Sequence, residues 1–157
     1  MKITLLSVGK TDNDFYVKGI DVYKKRLTRY ISFDTETVPD IKNAKNLSEK
    51  EQRNLEGDML LKRLQENDYV VLLDDKAKQY TSVDFARFIE KKAHTVSKRM
   101  VFVIGGPYGF SDSVYKRTNE KLSLSRMTFT HQMVRLVFVE QLYRAFTILN
   151  GEPYHHE

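Results

Sequence analysis

The residues best suited to acid–base chemistry are concentrated at the carboxyl-terminal end of this sequence. Three of the four histidines, His131, His155 and His156, fall within the last 27 residues, and Tyr154 directly precedes His155. An imidazole moves protons near neutral pH, and a tyrosine ring stacks on nucleobases. The segment therefore predicts either proton transfer beside an aromatic substrate or an ordinary tail.

A second candidate is a glycine-rich loop in the middle of the chain. Gly105, Gly106 and Gly109 directly follow the apolar run 100–104. Glycine lets the backbone approach a ligand closely, and α/β sheets bind ligands beyond the carboxyl ends of their strands. The spacing matches neither the dinucleotide-binding pattern nor a P-loop. The loop therefore predicts a binding site of another kind, or a tight turn.

Other kinds of site are disfavoured by the residue types present. The chain has no cysteine, which excludes disulfides, thiolate metal sites and cysteine nucleophiles. His155 and His156 would point apart in an extended segment, so no metal site is predicted. Asp74 and Asp75 are interpreted as a solvated loop, and no serine-nucleophile motif is present.

Composition and charge indicate one folded domain over residues 1–157. Of these residues 41% are hydrophobic and 30% are charged, enough for a packed core. The net charge of +5 is compatible with a nucleic-acid partner, but the basic residues form no tail or dense patch. No signal-peptide pattern or membrane-spanning run is found, so we expect a soluble, cytoplasmic protein.

Hydrophobic periodicity predicts alternating strands and helices. Apolar or alternating runs predict strands at 3–8, 33–38, 69–74 and 100–104. Helical spacing predicts helices at 14–30, 51–65, 83–96 and 111–119, with Ser48 and Ser82 as caps of the second and third. A polar loop is expected at 43–50, and a short strand in the last part of 121–129. This order predicts an α/β fold with a largely parallel sheet flanked by helices.

The helix predicted at 131–149 is apolar on nearly all sides. Its polar residues, including Arg135, Glu140 and Arg144, do not gather on one face. Such a helix must be buried almost all round, which points to the core or to a subunit interface. Gly151 is placed to end it, and Pro153 prevents its resumption.

Taken together, several segments resemble one family along the whole chain. They are MKIT and VGK within 1–10, VIGGPYG at 103–109, LSLSRMTF at 122–129, His131, VR at 134–135, EQLYRA at 140–145 and PYH at 153–155. In order and spacing the chain resembles the ribosomal RNA large-subunit methyltransferase H family, small SPOUT-class enzymes that methylate N3 of a pseudouridine in 23S ribosomal RNA.

The resemblance implies a SPOUT-type α/β fold with a C-terminal trefoil knot, in which the C-terminal segment threads an earlier loop to form an S-adenosylmethionine pocket. It also implies a homodimer, with the cofactor near the subunit interface, that acts on the assembled ribosome and needs no metal. The residues that match cofactor-binding positions are Leu73, Gly105, Gly106, Gly109, Leu124, Ser125, Arg126, Met127, Thr128 and Phe129.

The resemblance also implies a set of residues that face the RNA or the reacting base. These are His131, Arg135, Arg144, Tyr154 and His155, of which His155 is the first candidate for assisting proton removal and Tyr154 for stacking on the base. The two arginines are expected to hold phosphate or to stabilise negative charge on the base.

The sequence departs from the family pattern at two positions, and two other functions stay open. Thr130 replaces a common proline, which is expected to loosen the loop, and His156 replaces a basic residue, which is expected to weaken phosphate contact. One alternative is a non-catalytic RNA-binding assembly factor. The other is a transfer RNA methyltransferase of the same superfamily.

Overall fold

The computed structural model describes all 157 residues and shows one sheet of five parallel strands. In spatial order the strands are β2-β1-β4-β3-β5, and every pair of neighbours is parallel. The prediction of a largely parallel α/β sheet is confirmed. The strands are β1 (Lys2–Val8), β2 (Ser32–Val38), β3 (Tyr69–Leu73), β4 (Arg99–Ile104) and β5 (Glu120–Leu122).

Helices cover both faces of this sheet. They are α1 (Asp14–Leu27), α2 (Glu49–Arg63), α3 (Ser82–Thr95), α4 (Asp112–Arg117) and α5 (His131–Leu149). On one face α5 packs between α1 and α3 over side chains such as Leu5 and Phe102. On the other face α2 packs beside α4 over Leu6 and Val103. Neighbouring residues of a strand point to opposite faces, so β1 from Ile3 onwards and β4 from Met100 onwards are buried on both sides, and most of these residues are apolar.

Of the two helix caps predicted from the sequence, one is confirmed and one is wrong. The Ser48 hydroxyl accepts the Glu51 N–H at 3.1 Å, as predicted for the start of α2. The predicted cap of α3 at Ser82 is wrong, because Thr81 accepts the Asp84 N–H at 3.0 Å. The Ser82 hydroxyl instead donates to Gln141 at 2.8 Å and joins α3 to α5.

Two predictions about irregular segments are also wrong. The polar segment 43–50 contains a 3-10 helix, Ala44–Asn46, and the beginning of α2. The short strand expected near 127–129 lies earlier, at β5, because residues 120–122 pair with the exposed edge of β3. Residues 123–130 have no regular secondary structure beyond an isolated bridge between Ser123 and Gln79.

The C-terminal tail folds back along α5. The helix ends at Leu149, and Gly151 adopts a φ of +65°, as expected for a helix-ending glycine. The Tyr30 hydroxyl donates to Glu152 at 2.5 Å, which ties the tail to the end of α1. None of the helices combines the length and apolar character needed to cross a membrane.

Candidate active site

A cavity of about 770 Å³ lies at the carboxyl ends of the strands. Three segments line it: the end of β3, the glycine loop that follows β4, and the irregular segment before α5. It is the place where an open parallel sheet commonly binds a ligand. Nine of the ten predicted cofactor-binding residues line this cavity: Leu73, Gly105, Gly106, Gly109, Leu124, Ser125, Met127, Thr128 and Phe129.

The glycine loop needs its glycines for two different reasons. Gly109 adopts a φ of +81°, a left-handed conformation, and its N–H donates to the carbonyl of Gly106 at 3.2 Å. Gly106 has an ordinary φ, but a Cβ at this position would overlap both carboxylate oxygens of Glu56. The loop can therefore pass over Glu56, in the middle of α2, only because Gly106 has no side chain.

Short hydrogen bonds hold the irregular segment in place. The buried Ser123 hydroxyl is 2.9 Å from the carbonyl of Ser125 and 3.3 Å from that of Asp75. The Ser125 hydroxyl accepts the Met127 N–H at 2.9 Å. Thr130 caps α5 by accepting the Met133 N–H at 3.1 Å. The threonine that departs from the family pattern therefore anchors the start of α5, and the predicted loosening is not supported.

The remaining predicted cofactor residue, Arg126, does not line the cavity. Its side chain is exposed on the outer side of the segment, while Leu124 and Phe129 are half-buried and face inward. Met127 lines the cavity although 78% of its surface is exposed, so it forms part of the opening. The sequence match did not distinguish inward from outward side chains in this segment.

The cavity also contains polar residues that the sequence analysis missed. Asp74 lines it and accepts the Tyr115 hydroxyl proton at 3.0 Å. Burial and this hydrogen bond raise the pKa of Tyr115 to about 12. Arg53 comes from α2 and donates to the Tyr108 carbonyl at 3.4 Å. The position of Asp74 directly after a buried strand was the available signal, whereas Arg53 and Tyr115 lie on surface helices and had none.

The predicted catalytic residues separate into three places. His131, the first residue of α5, is exposed at the edge of the cavity. Arg144, Tyr154 and His155 lie together farther along α5, in a group that we call the tail cluster with Glu140 as its fourth member. The helix rises about 1.5 Å per residue, so His131 and Arg144 are about 20 Å apart along its axis.

Glu140 is the centre of the tail cluster. Its carboxylate accepts Arg144 Nη2 at 2.6 Å and the Tyr154 hydroxyl at 3.0 Å. The Arg144 guanidinium also lies over the Tyr154 ring, 4.7 Å from its centre. Burial first, and then hydrogen bonds with Tyr23 and Glu140, raise the pKa of Tyr154. Tyr154 is therefore a neutral phenol at physiological pH.

The orientation of His155 follows from its contact with Arg144. Arg144 Nη1 lies 3.2 Å from Nδ1 of His155, and an arginine only donates, so Nδ1 is the acceptor. In a neutral ring the proton is then on Nε2. That atom is buried and makes no hydrogen bond, although the Glu157 carboxylate lies 3.3 Å away. His155 thus has one polar atom with no hydrogen-bond partner within the chain.

Arg135 is in neither group. It is 2% exposed and donates at 2.8 Å to each of two carbonyls at the end of β1, those of Val8 and Gly9. Further bonds go to Thr11 at 3.1 Å and to the His131 carbonyl at 3.1 Å. The predicted phosphate contact is not supported by this geometry, because the guanidinium is occupied in joining α5 to β1. The apolar pattern of the helix predicted burial on nearly all sides, but nothing in the pattern indicated which groups would accept hydrogen bonds from Arg135.

Comparison with known proteins decides which chemistry this arrangement serves. A family model described as predicted SPOUT methyltransferase matches residues 1–155. The chain belongs to the SPOUT methyltransferase family. Proteins named ribosomal RNA large subunit methyltransferase H are 62% identical in Parabacteroides distasonis, 57% in Phocaeicola vulgatus and 55% in Bacteroides thetaiotaomicron, each over 157 residues and all of both chains.

In this SPOUT methyltransferase the α/β architecture inferred from the sequence is confirmed, while the trefoil knot stays a prediction. The cavity lies at the beginning of α5, where His131 and Val134 line it, and the tail cluster lies farther along the same helix, from Glu140 onwards. Within one chain, the predicted base-facing residues Arg144, Tyr154 and His155 do not line the cavity. No cluster of three or more His, Cys, Asp or Glu is placed to hold a metal ion.

Proposed function

We propose that this methyltransferase transfers the methyl group of S-adenosylmethionine to N3 of a pseudouridine in 23S ribosomal RNA of the large subunit. The observation that carries the proposal is the full-length similarity to proteins named ribosomal RNA large subunit methyltransferase H, up to 62% identical among those reported above. The cavity at the carboxyl ends of the strands supports the proposal, because it offers a site for the methyl donor. The substrate would place the enzyme in the cytoplasm.

The residues that line the cavity fit the proposed donor. Leu124, Met127 and Phe129 offer apolar surface to an adenine ring, and the glycine loop exposes backbone groups that can bond its edge. Arg53 and Asp74 offer opposite charges to the amino-acid part of the ligand. When bound, S-adenosylmethionine supplies a methyl group already activated on a sulfonium. The protein then has to align the two reactants and remove the N3 proton.

We propose further that the enzyme is a homodimer in which the tail cluster of one protomer meets the cavity of the other. An apolar surface between α1 and α5 supports this pairing. It includes Phe15, which is 63% exposed, Val22, Leu136 and Val137 around a hollow of about 480 Å³. Monomeric proteins rarely leave such a surface uncovered.

The position of this surface explains how a dimer would complete the site. It borders Glu140 of the tail cluster and continues to Met133, two residues after His131. A two-fold axis through it and perpendicular to α5 would lay two copies of the helix in opposite directions. The start of one helix, which borders the cavity, would then lie near the tail cluster of the partner.

His155 and Arg144 are proposed to act together on the base. With Arg144 donating to Nδ1, His155 presents only an N–H and cannot accept a proton. If RNA phosphate draws the guanidinium away, Nδ1 becomes free to accept the N3 proton. Arg144 is then placed to stabilise negative charge on the base or its phosphate. His131 at the cavity edge is the second candidate for the base.

The proposal is tested by methyl incorporation from radiolabelled S-adenosylmethionine. Ribosomes that lack the modification are compared with free ribosomal RNA and transfer RNA, and the product is mapped by mass spectrometry. Label at N3 of a large-subunit pseudouridine is expected. Label in transfer RNA would support the alternative substrate, and ribosome binding without any label would support an assembly factor.

His155→Ala is expected to lower turnover about 10²–10⁴-fold and to leave donor affinity unchanged, because a positioned base contributes about that much. His94→Ala is the matched control, since His94 is an exposed histidine on α3. Unchanged turnover in His155→Ala would exclude His155 as the base.

The composite site is tested by mixing two inactive variants. Gly106→Val removes the cavity of its own protomer, and His155→Ala disables its own tail cluster. In an equal mixture of freely exchanging dimers, half are mixed, and each mixed dimer has one site with both parts intact, which gives about one quarter of wild-type turnover. No recovery in dimers shown to exchange would mean that each chain uses its own tail.

A further inference from the structure

Behind the glycine loop, on the side away from the cavity, lies a buried carboxyl group that the proposed chemistry does not use. Glu56 on α2 is 3% exposed, and its oxygens face the Cα of Gly106. Oε1 is buried with no hydrogen-bond partner, and Oε2 accepts only the Gln52 amide at 3.3 Å. A buried carboxyl group with so few partners is costly as an ion, so its protonation state bears on the loop above it.

The charged groups around Glu56 do not offset that cost. Its own helix supplies the neutral Gln52, while Arg53 is turned towards the Tyr108 carbonyl. The segment after β2 supplies Asp40, a second carboxylate. Ser111, which caps the beginning of α4, contributes a neutral hydroxyl that packs against the neighbouring Gly57. No cation forms a salt bridge with Glu56.

These surroundings favour the proton-bound form. Burial raises the pKa of Glu56, the Gln52 hydrogen bond opposes this, and Asp40 raises it further. An ionised Glu56 would place an unpaired charge directly beneath Gly106. The loop would then have to shift to admit water or a donor group, and it forms one wall of the cavity.

We propose that Glu56 is a positioning residue of the donor cavity, which sets the shape of the glycine loop through Gly106 as a neutral carboxylic acid. This inference rests on the proposed use of the cavity for S-adenosylmethionine. A ligand in the cavity removes water from the other face of the loop, which disfavours an ion at Glu56 still more. Donor affinity and the protonation of Glu56 are therefore linked, and each strengthens the other.

The linkage has a definite sign. Affinity for the donor is highest where Glu56 is protonated and falls as the pH rises through its raised pKa. If the pKa of Glu56 is one unit higher in the donor-bound protein than in the free protein, the affinity for S-adenosylmethionine changes about tenfold across the titration. Glutamine has nearly the shape of glutamic acid and stays neutral at every pH. The donor affinity of Glu56→Gln is therefore expected to lack the part of the pH dependence that comes from Glu56.

The experiment measures the Kd of S-adenosylmethionine by calorimetry from about pH 4.5 to pH 8.5. Wild type, Glu56→Gln and Asp58→Asn are compared, because Asp58 is an exposed carboxylate on the same helix. Titration of the donor itself is common to all three proteins. We expect wild type and Asp58→Asn to lose affinity in parallel as the pH rises, and Glu56→Gln to lose less.

Three results would overturn the inference. The first is an identical pH dependence in wild type and Glu56→Gln. The second is titration of the wild-type Glu56 carboxyl at an ordinary pKa by carbon NMR, a measurement that needs no folded variant. The third is no binding by the wild type at any pH, which would refute the proposed cofactor as well and is thereby distinguished from the other two.

Discussion

The sharpest consequence of the structure concerns Arg135, which the sequence places at the RNA and the fold places in the interior. Replacing it with alanine is expected to destabilise the protein rather than to weaken RNA binding alone. The reason is that Arg135 satisfies the carbonyls of Val8 and Gly9, which end β1 where the cavity begins. Removing the guanidinium leaves these acceptors without a donor in a buried setting.

The size of the effect follows from the bonds that are lost. Each of the two buried carbonyls left without a donor costs about 1–3 kcal/mol. The part-buried bonds to Thr11 and to the His131 carbonyl add less, so the expected loss is about 4 kcal/mol. For a chain of this size that corresponds to a Tm lowered by about 8–16 °C.

The assay is thermal and urea unfolding of wild type, Arg135→Ala and Arg135→Lys. Lysine keeps the charge but makes fewer of the bonds, so an intermediate loss is expected. Arg87→Ala is the matched control, because Arg87 is an exposed arginine whose ion pair with Asp84 is on the surface, and its loss is expected to be below about 0.5 kcal/mol. Wild-type stability of Arg135→Ala together with lost ribosome binding would refute the structural role.

Two further substitutions test the packing around the sheet. Burial alone would raise the pKa of Asp68, but Arg99 at 2.6 Å and the Gln65 N–H lower it, so its stabilising effect is present above about pH 4 and is lost as the pH falls further. Asp68→Asn is expected to lower the free energy of unfolding by about 3–5 kcal/mol at neutral pH and to lose less stability than wild type in acid. Urea unfolding across pH measures both effects, and a loss in acid as large as that of wild type would contradict the prediction. Gly106→Ala is expected to weaken binding of S-adenosylmethionine at least about tenfold by calorimetry, because its methyl group would overlap Glu56, and an unchanged Kd would show that the loop adapts.

The cavity shows which features of a binding site can be predicted from sequence. Leu73 ends a strand of the parallel sheet, and Gly105 and Leu124 lie in the segments that follow two other strands. The carboxyl ends of parallel strands meet at one edge of the sheet, whatever the details of side-chain packing. The structure brings the segments named by the resemblance together around one cavity, to which α2 and α4 add Arg53 and Tyr115. It could not separate Arg126 from its neighbours, since the direction of a side chain in an irregular segment depends on hydrogen bonds such as those of Ser123 and Ser125.

The arrangement of the catalytic candidates, in contrast, depends on the tertiary structure. The resemblance implies that His131, Arg144 and His155 all face the RNA or the reacting base, but the helix keeps the first two about 20 Å apart along its axis. That separation already follows from the helix predicted at 131–149, whereas the contacts of His155 depend on the path of the tail back along α5 and could not be predicted from the sequence. The hydrogen-bond partners of Arg135 could not be predicted either, because they belong to the end of β1, which is distant in the sequence.

The sequence by itself determined the alternation of strands and helices, the parallel sheet and the segments that surround the cavity, because these follow from local periodicity and from the short connections between neighbouring elements. The tertiary structure decided which polar groups are paired and which are not. Arg135, Glu56 and Glu140 are all charged residues on helices, and nothing local distinguishes them. Arg135 binds the end of β1, Glu56 lies behind the glycine loop without a cation, and Glu140 accepts the hydrogen bonds that hold the tail cluster together. The cost of burying a charge depends on partners that are distant in sequence, so only the folded chain fixes these roles.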